Sequence, residues 1–239
     1  MYYRFEIGSF VRQYPSLFFP LLQVSHKVRG LRPPALITPG TELVLEGYFR
    51  TGNTFAALAF YLAQPRPTPV ANHTHAIATL LVAARRSLPA LVLLRNPADT
   101  VVSAVLKTPG TTLAQHLKWY IRYYESVDRL CEHFYIALFD ELITDFGQVI
   151  EKLNRRFQTA FTPFDHTEEN VQKVFDWIEE IDRRIYADSV TQYSIPLHVK
   201  RDAKRVLVQE MDKKECECLL EKANNLYQNL SEKRLKNAK

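Results

Sequence analysis

The sequence predicts an α/β fold, a central parallel sheet flanked by helices with a helix-rich C-terminal half. Three observations carry this. Short apolar runs without polar alternation, Glu42–Glu46 (ELVLE) and Ala90–Arg95 (ALVLLR), read as strands covered on both faces. Strand-like and helix-like segments alternate over 42–140, the order that builds parallel βαβ units. Only seven of 239 residues are glycine, so few positive-φ turns are needed and helix dominates.

The elements follow in order. Residues 1–40 are mixed and end in a Pro-rich connection, LRPPALITPG. The strand 42–46 ends at Gly47, and after Gly52 the Ala- and Leu-rich NTFAALAFYLAQ reads as a helix stopped by Pro65. Val70–His75 is a second short strand, Ala76–Ser87 a helix, and Ala90–Arg95 a third strand. Asn96-Pro97 opens the next helix, with Asn as N-cap, Pro at the first position and Asp99 in the first turn. Leu113–His133 is long and amphipathic, Tyr135–Phe139 is a strand, and Leu142–Phe157, Thr167–Ala187 and Asp202–Leu230 are helices. One domain spans 1–239: an N-terminal extension (1–40), a core (42–160) and a helical part (161–239).

Charge and composition exclude several classes. Disorder is incompatible with 46% apolar residues. Of the net +5, residues 200–239 carry 11 basic and 7 acidic side chains, so the basic excess reads as a solvated C-terminal helix and not as a nucleic-acid surface. The apolar stretch Pro15–Val24 (PSLFFPLLQV) is too short to span a bilayer, which takes roughly 20 residues, and it lacks the features of a signal peptide. Cys131, Cys216 and Cys218 have no framework spacing, which fits a reduced, cytoplasmic setting.

Ligands of parallel sheets bind beyond the carboxyl ends of the strands. The loop there, Gly47–Thr54 (GYFRTGNT), has the glycine spacing of a phosphate loop, G-x-x-x-x-G-K-[ST], with Asn53 in place of the lysine and a cation at Arg50 instead. Backbone amides released by such glycines, the start of the following helix and the Thr54 hydroxyl all favour an anion. Without the lysine that holds β- and γ-phosphates, the loop is poorly arranged for ATP hydrolysis. From the loop alone, a phosphate site and a tight turn with a chance glycine pair are equally consistent. A second cluster, Arg95 to Ser103 (RNPADTVVS), begins at a strand's end and enters a helix; Arg95 can bind phosphate bidentately and Ser103 can add a hydroxyl.

Together these two segments resemble the sulfotransferase family that uses 3′-phosphoadenosine 5′-phosphosulfate (PAPS). Phe49-Arg50-Thr51-Gly52-Asn53-Thr54-Phe55 is similar to its P-[KR]-[ST]-G-[NT]-T-[WFL] signature, and Arg95–Ser103 matches R-[ND]-P-x-D-x-x-x-S. Phe139-Asp140-Glu141-Leu142 is a weaker third echo, and the likeness spans roughly 42–160. The resemblance implies a P-loop NTPase-like three-layer fold and sulfuryl transfer from PAPS to a hydroxyl or amine of a small-molecule or carbohydrate acceptor. Arg50, Thr51, Gly52, Asn53 and Thr54 would cradle the 5′-phosphosulfate, with Arg50 stabilising the leaving phosphate. Arg95 and Ser103 would hold the 3′-phosphate, and no metal is expected. The chain departs from the pattern at Phe49, where the family has Pro. It also lacks the glycine-containing C-terminal segment that closes over the nucleotide, for which Lys200-Arg201 would substitute.

A hydroxyl acceptor needs a base, and Asn72-His73-Thr74-His75 lies between the two phosphate motifs, where the family carries K-T-H. By that match His75 is the base and His73 a helper, both on one face of an extended segment. A metal pair and structural histidines remain open readings of this H-x-H. The other histidines, and Tyr120, Tyr123 and Tyr124 beside Trp119, read as structure or core. The competing functions are an ATP-dependent phosphotransferase and a nucleotide-binding protein without turnover.

Overall fold

The structure, a computed structural model, describes residues 8, 10–30, 34–186, 194, 205, 207–208 and 214–237. Strands β1 (Leu43–Gly47), β2 (Val70–Asn72), β3 (Ala90–Leu94) and β4 (Tyr135–Leu138) form a wholly parallel sheet in the order β2-β1-β3-β4. The register sets Leu45 beside Asn72 and Leu91, and Leu93 beside Ala137. The chain moves from β1 outward to β2 and then back across to β3. The carboxyl ends of β1 and β3 therefore diverge at a switch point, where such sheets open a crevice.

Alternation along the strands divides the core in two. Val44, Val92, Leu94 and Ile136 face α3 (Ile77–Arg85), α4 (Pro97–Lys107), α5 (Leu113–Arg129) and α9 (Lys214–Asn237). Leu43, Leu45, Leu91, Leu93 and Ala137 face α2 (Asn53–Ala63), α7 (Phe146–Phe157) and α8 (Glu168–Tyr186). This is the three-layer α/β arrangement expected from strands apolar on both faces.

Several local expectations are corrected. The N-terminal apolar stretch forms helix α1 (Pro15–Val28), with Pro15 in its first turn and Pro20 tolerated inside. The strand after Pro69 stops at Asn72, because His73 and His75 both take positive φ, 59° and 48°. The helix expected over 142–157 is two: α6 (Phe139–Thr144) and α7, divided at Asp145, whose carboxylate accepts from the Gln148 amide (3.1 Å) and caps α7. The long helix from Leu113 ends at Arg129 and is followed by a separate 3₁₀ turn, Cys131–His133. Most of residues 187–213, including Lys200-Arg201, lies outside the described residues.

Candidate active site

The loop Tyr48–Gly52 joins β1 to α2 at the switch point. Gly47 and Gly52 are both required by the packing. A β-carbon on Gly47 would collide with the Thr51 side chain and lie 2.9 Å from the Leu93 carbonyl oxygen; one on Gly52, at φ 94°, would strike Leu142. The loop is stapled from within. Thr51 Oγ1 donates to the Tyr48 carbonyl (2.8 Å), and Asn53 Nδ2 donates to that carbonyl (3.0 Å) and to Thr51 Oγ1 (3.0 Å). Both side chains are buried, so they hold the loop's shape. Asn53 Oδ1 is buried without a partner.

Helix α5 braces the same loop from the other layer. Tyr124 Oη donates to the Leu93 carbonyl (2.6 Å) and lies 3.4 Å from the Tyr48 amide; one turn earlier, Tyr120 Oη donates to the Arg95 carbonyl (2.8 Å). Tyr48 Oη bonds His116 Nδ1 (2.8 Å), and His116 Nε2 meets Thr111 Oγ1 (2.9 Å). The aromatic stripe is core, as its spacing suggested, and it also fixes where β1 and β3 end.

The two phosphate motifs meet. Arg50, at φ 65°, sends Nε to Ser103 Oγ (2.9 Å), and Arg95 Nη1 donates to the Arg50 carbonyl (3.0 Å). Arg95 lies 4.0 Å above the Phe139 ring, and its Nε is buried with no hydrogen-bond partner. Lys107, one turn beyond Ser103 on α4, extends this cationic surface, and Arg50 is near enough to help depress its pKa. Burial, chiefly, brings Lys107 down to about 8, against the opposing pull of the Asp182 carboxylate 3.5 Å away. Ser194 Oγ stands 3.3 Å from both Arg50 Nη1 and Lys107 Nζ.

His73 and His75 flank the loop on its other side. Their ring centroids are 5.9 Å apart, brought together by a turn and not by strand alternation. His73 Nε2 meets Thr54 Oγ1 (3.2 Å), and its Nδ1 meets Asn72 Oδ1 (2.7 Å). His75 Nδ1 lies 2.9 Å from the Gly47 carbonyl, which can only accept; the proton therefore sits on Nδ1 and leaves Nε2 with a free lone pair. Burial, then the charges and dipoles of His73, Arg12 and Arg50, push the His75 pKa down to about 3, so the ring is neutral at ordinary pH. The Phe49 ring packs 4.4 Å from it.

Sequence reasoning missed the group that holds this turn. Glu46, the last but one residue of β1, is fully buried. Its carboxylate accepts from the Thr74 amide (2.9 Å), the Thr74 hydroxyl (2.7 Å) and the His75 amide (2.9 Å). Burial raises its pKa to about 7 against those bonds and the Arg12 charge. Arg12 itself bonds the Thr74 carbonyl and lies 5.3 to 5.5 Å from the Phe18, Phe49 and Trp119 ring centroids. The one available signal was a carboxylate in a strand otherwise apolar on both faces. Cavities of about 320 and 400 Å³ lie elsewhere, beside Thr41 at the amino ends of the strands, and no motif residue lines them.

Fold and site together define a parallel α/β protein whose switch point carries Arg50 and Arg95, with a neutral histidine beside it. No protein-family model matches the chain, and no curated protein matches it. Among solved structures, it is similar to mouse sulfotransferase SULT7A1 complexed with PAP: 13% identity, 84% of this chain and 95% of that one covered, TM-score 0.46. No helix among the described residues is long and apolar enough to cross a membrane.

Proposed function

We propose that this protein is a PAPS-dependent sulfotransferase, moving the sulfuryl group to an acceptor hydroxyl or amine. The observation that carries this reading is the meeting of the two phosphate motifs: Arg50 bonds Ser103 across 53 positions of chain, and Arg95 bonds the Arg50 carbonyl. A donor phosphorylated at both ends needs two anion subsites side by side, which these residues supply. The buried Arg95 Nε is a donor that a 3′-phosphate oxygen would satisfy. The loop amides from Arg50 to Thr54 would bind the 5′-phosphosulfate, and Gly47 and Gly52 let the loop pack tightly against Leu93 and Leu142 to hold its shape.

In the transfer, the acceptor oxygen attacks sulfur while the bond from sulfur to the bridging oxygen breaks. The acceptor proton passes to His75 Nε2, and Arg50 offsets the charge left on the departing phosphate of 3′-phosphoadenosine 5′-phosphate (PAP). The phosphoryl-transfer alternative is disfavoured by Asn53. It occupies the lysine position and is buried on the Tyr48 carbonyl, so no cation reaches a γ-phosphate from there. One observation favours binding without turnover: a pKa near 3 makes His75 a weak base.

Thermal shift and labelled-donor transfer separate these readings. PAP should raise the melting temperature without magnesium and ATP only weakly; equal stabilisation by ATP with a strict magnesium requirement would sink the proposal. Arg50→Ala and His75→Ala should each abolish transfer while PAP binding stays measurable. PAP binding by the wild type with no transfer to any acceptor screened would favour the non-catalytic reading.

A further inference from the structure

Helix α1 plays no part in the chemistry above, yet it carries the largest exposed apolar feature of the described residues. Its inner face is spoken for: Phe18 packs on Ala76 and Ala78, with Leu22 and Phe19 beside it, and Ala76 follows His75 directly. The outer face is apolar as well. Phe10, Tyr14, Leu17, Leu21, Val24 and Val28 are 44 to 80% exposed, and they recur at intervals of four and three residues, one continuous stripe along the helix and the turn before it. Six of the twelve large hydrophobic residues exposed in the described structure fall within these nineteen positions. A stripe of this kind marks a docking surface, not chance exposure.

The charges say what it docks on. Between Glu6 and Glu42 there is no acidic residue, while Arg12, Lys27, Arg29 and Arg32 are basic. Arg12 is used inside, against Thr74, but Lys27 and Arg29 are exposed at the end of the stripe that holds Val28. A second copy of the same helix would bring these cations no partner, because paired helices of this spacing place opposite charges along the seam. An anionic lipid surface supplies both things the face lacks, apolar depth for the stripe and negative charge for its basic end. At its other end Tyr14, packed against Phe10, is of the type enriched at the boundary between acyl chains and water. We infer that α1 is an interfacial anchor: it lies in the plane of an anionic bilayer with the Phe10–Val28 stripe immersed and Lys27 and Arg29 on headgroups.

The test is co-sedimentation of the full chain with phosphatidylcholine vesicles, with and without phosphatidylserine. Pelleting should require phosphatidylserine and weaken as salt is raised. Leu17→Glu with Leu21→Glu should abolish it at an unchanged melting temperature, since both side chains are about half exposed and lie outside the Phe18 cluster. Lys27→Gln with Arg29→Gln leaves the apolar stripe intact and should lower the partition coefficient roughly 30-fold, about fivefold for each basic residue at the surface. No pelleting with phosphatidylserine, or pelleting untouched by either pair of substitutions, overturns the inference. So does a dimer by sedimentation equilibrium that Leu17→Glu with Leu21→Glu converts to monomer, which would assign the stripe to a second copy. All these readouts are independent of PAP binding and transfer.

Discussion

Replacing Glu46 by Gln tests the histidine turn most directly, because the wild-type group changes charge within the accessible pH range. With a folded pKa near 7 and an ordinary value near 4.5, Glu46 keeps its proton in the folded chain where the unfolded chain has lost it. The sign follows: its contribution is fully favourable below about pH 4.5 and is lost as pH rises through 7. Carried across that whole range the loss is about 3 kcal/mol, most of it between pH 5 and 8. Glutamine does not titrate. Its oxygen can still accept from the Thr74 amide and hydroxyl, but its NH₂ then meets the His75 amide, donor against donor, at a cost of about 1 to 3 kcal/mol. Glu46→Gln should therefore be clearly destabilised at pH 5 and close to wild type, or more stable, at pH 8. Urea unfolding at the two pH values measures this. An identical penalty at both would show that Glu46 does not titrate high, and no penalty at either would show that its bonds do not hold the turn.

Three further outcomes follow from the same geometry. Gly52→Ala places a β-carbon against Leu142 at φ 94°, and should cost about 3 kcal/mol in urea unfolding, with PAP binding lost alongside. His116 is buried between the Tyr48 and Thr111 hydroxyls with its pKa lowered to about 4 by burial, so the wild type should lose up to about 3 kcal/mol as pH falls from 6.5 to 4; His116→Asn should flatten that slope in an acid titration followed by circular dichroism. Arg95→Lys keeps the charge but cannot bond the Arg50 carbonyl, lie flat on Phe139 and fork onto a phosphate at once, so calorimetry should show PAP binding weakened by about tenfold or more.

How much of this was legible depends on how far apart in the chain the partners stand. The strands could be read because both faces are covered and no polar alternation interrupts them. The meeting of Arg50, Arg95 and Ser103 could be read because each motif sits at a strand's end, and two such ends adjoin in a parallel sheet. Residue type did not say which atom faces the ligand: Thr51 and Asn53 spend their side chains on the Tyr48 carbonyl, leaving only backbone for an anion. Glu46 and Arg12 were invisible because their partners, Thr74 and His75, lie 28 and 62 positions away along the chain and in a turn that read as strand. Helix α1 was missed for a local reason. Two prolines interrupt an apolar stretch read only as too short to span a bilayer, yet Pro15 starts the helix and packing of Phe18 and Leu22 outweighs the bond lost at Pro20.

The same long-range bonds hold the proposed anion site in shape. The tyrosines of α5 pin the carbonyls of Leu93 and Arg95, so the end of β3 cannot drift from β1. Glu46 pins the amides of Thr74 and His75 from below, so the histidine turn cannot drift from the loop. Between these fixed walls stand Arg50, Arg95 and Lys107, with Asp182 beside Lys107 and Asp99 and Asp140 acting on Arg95. Burial is the main cause of the lowered Lys107 pKa, and the Arg50 charge adds to it against the larger opposing pull of Asp182. Scaffold bonds maintain that arrangement. On the proposed reading, a phosphate would meet cations already held in place by these bonds, which is the electrostatic preorganisation that transfer of a charged group requires.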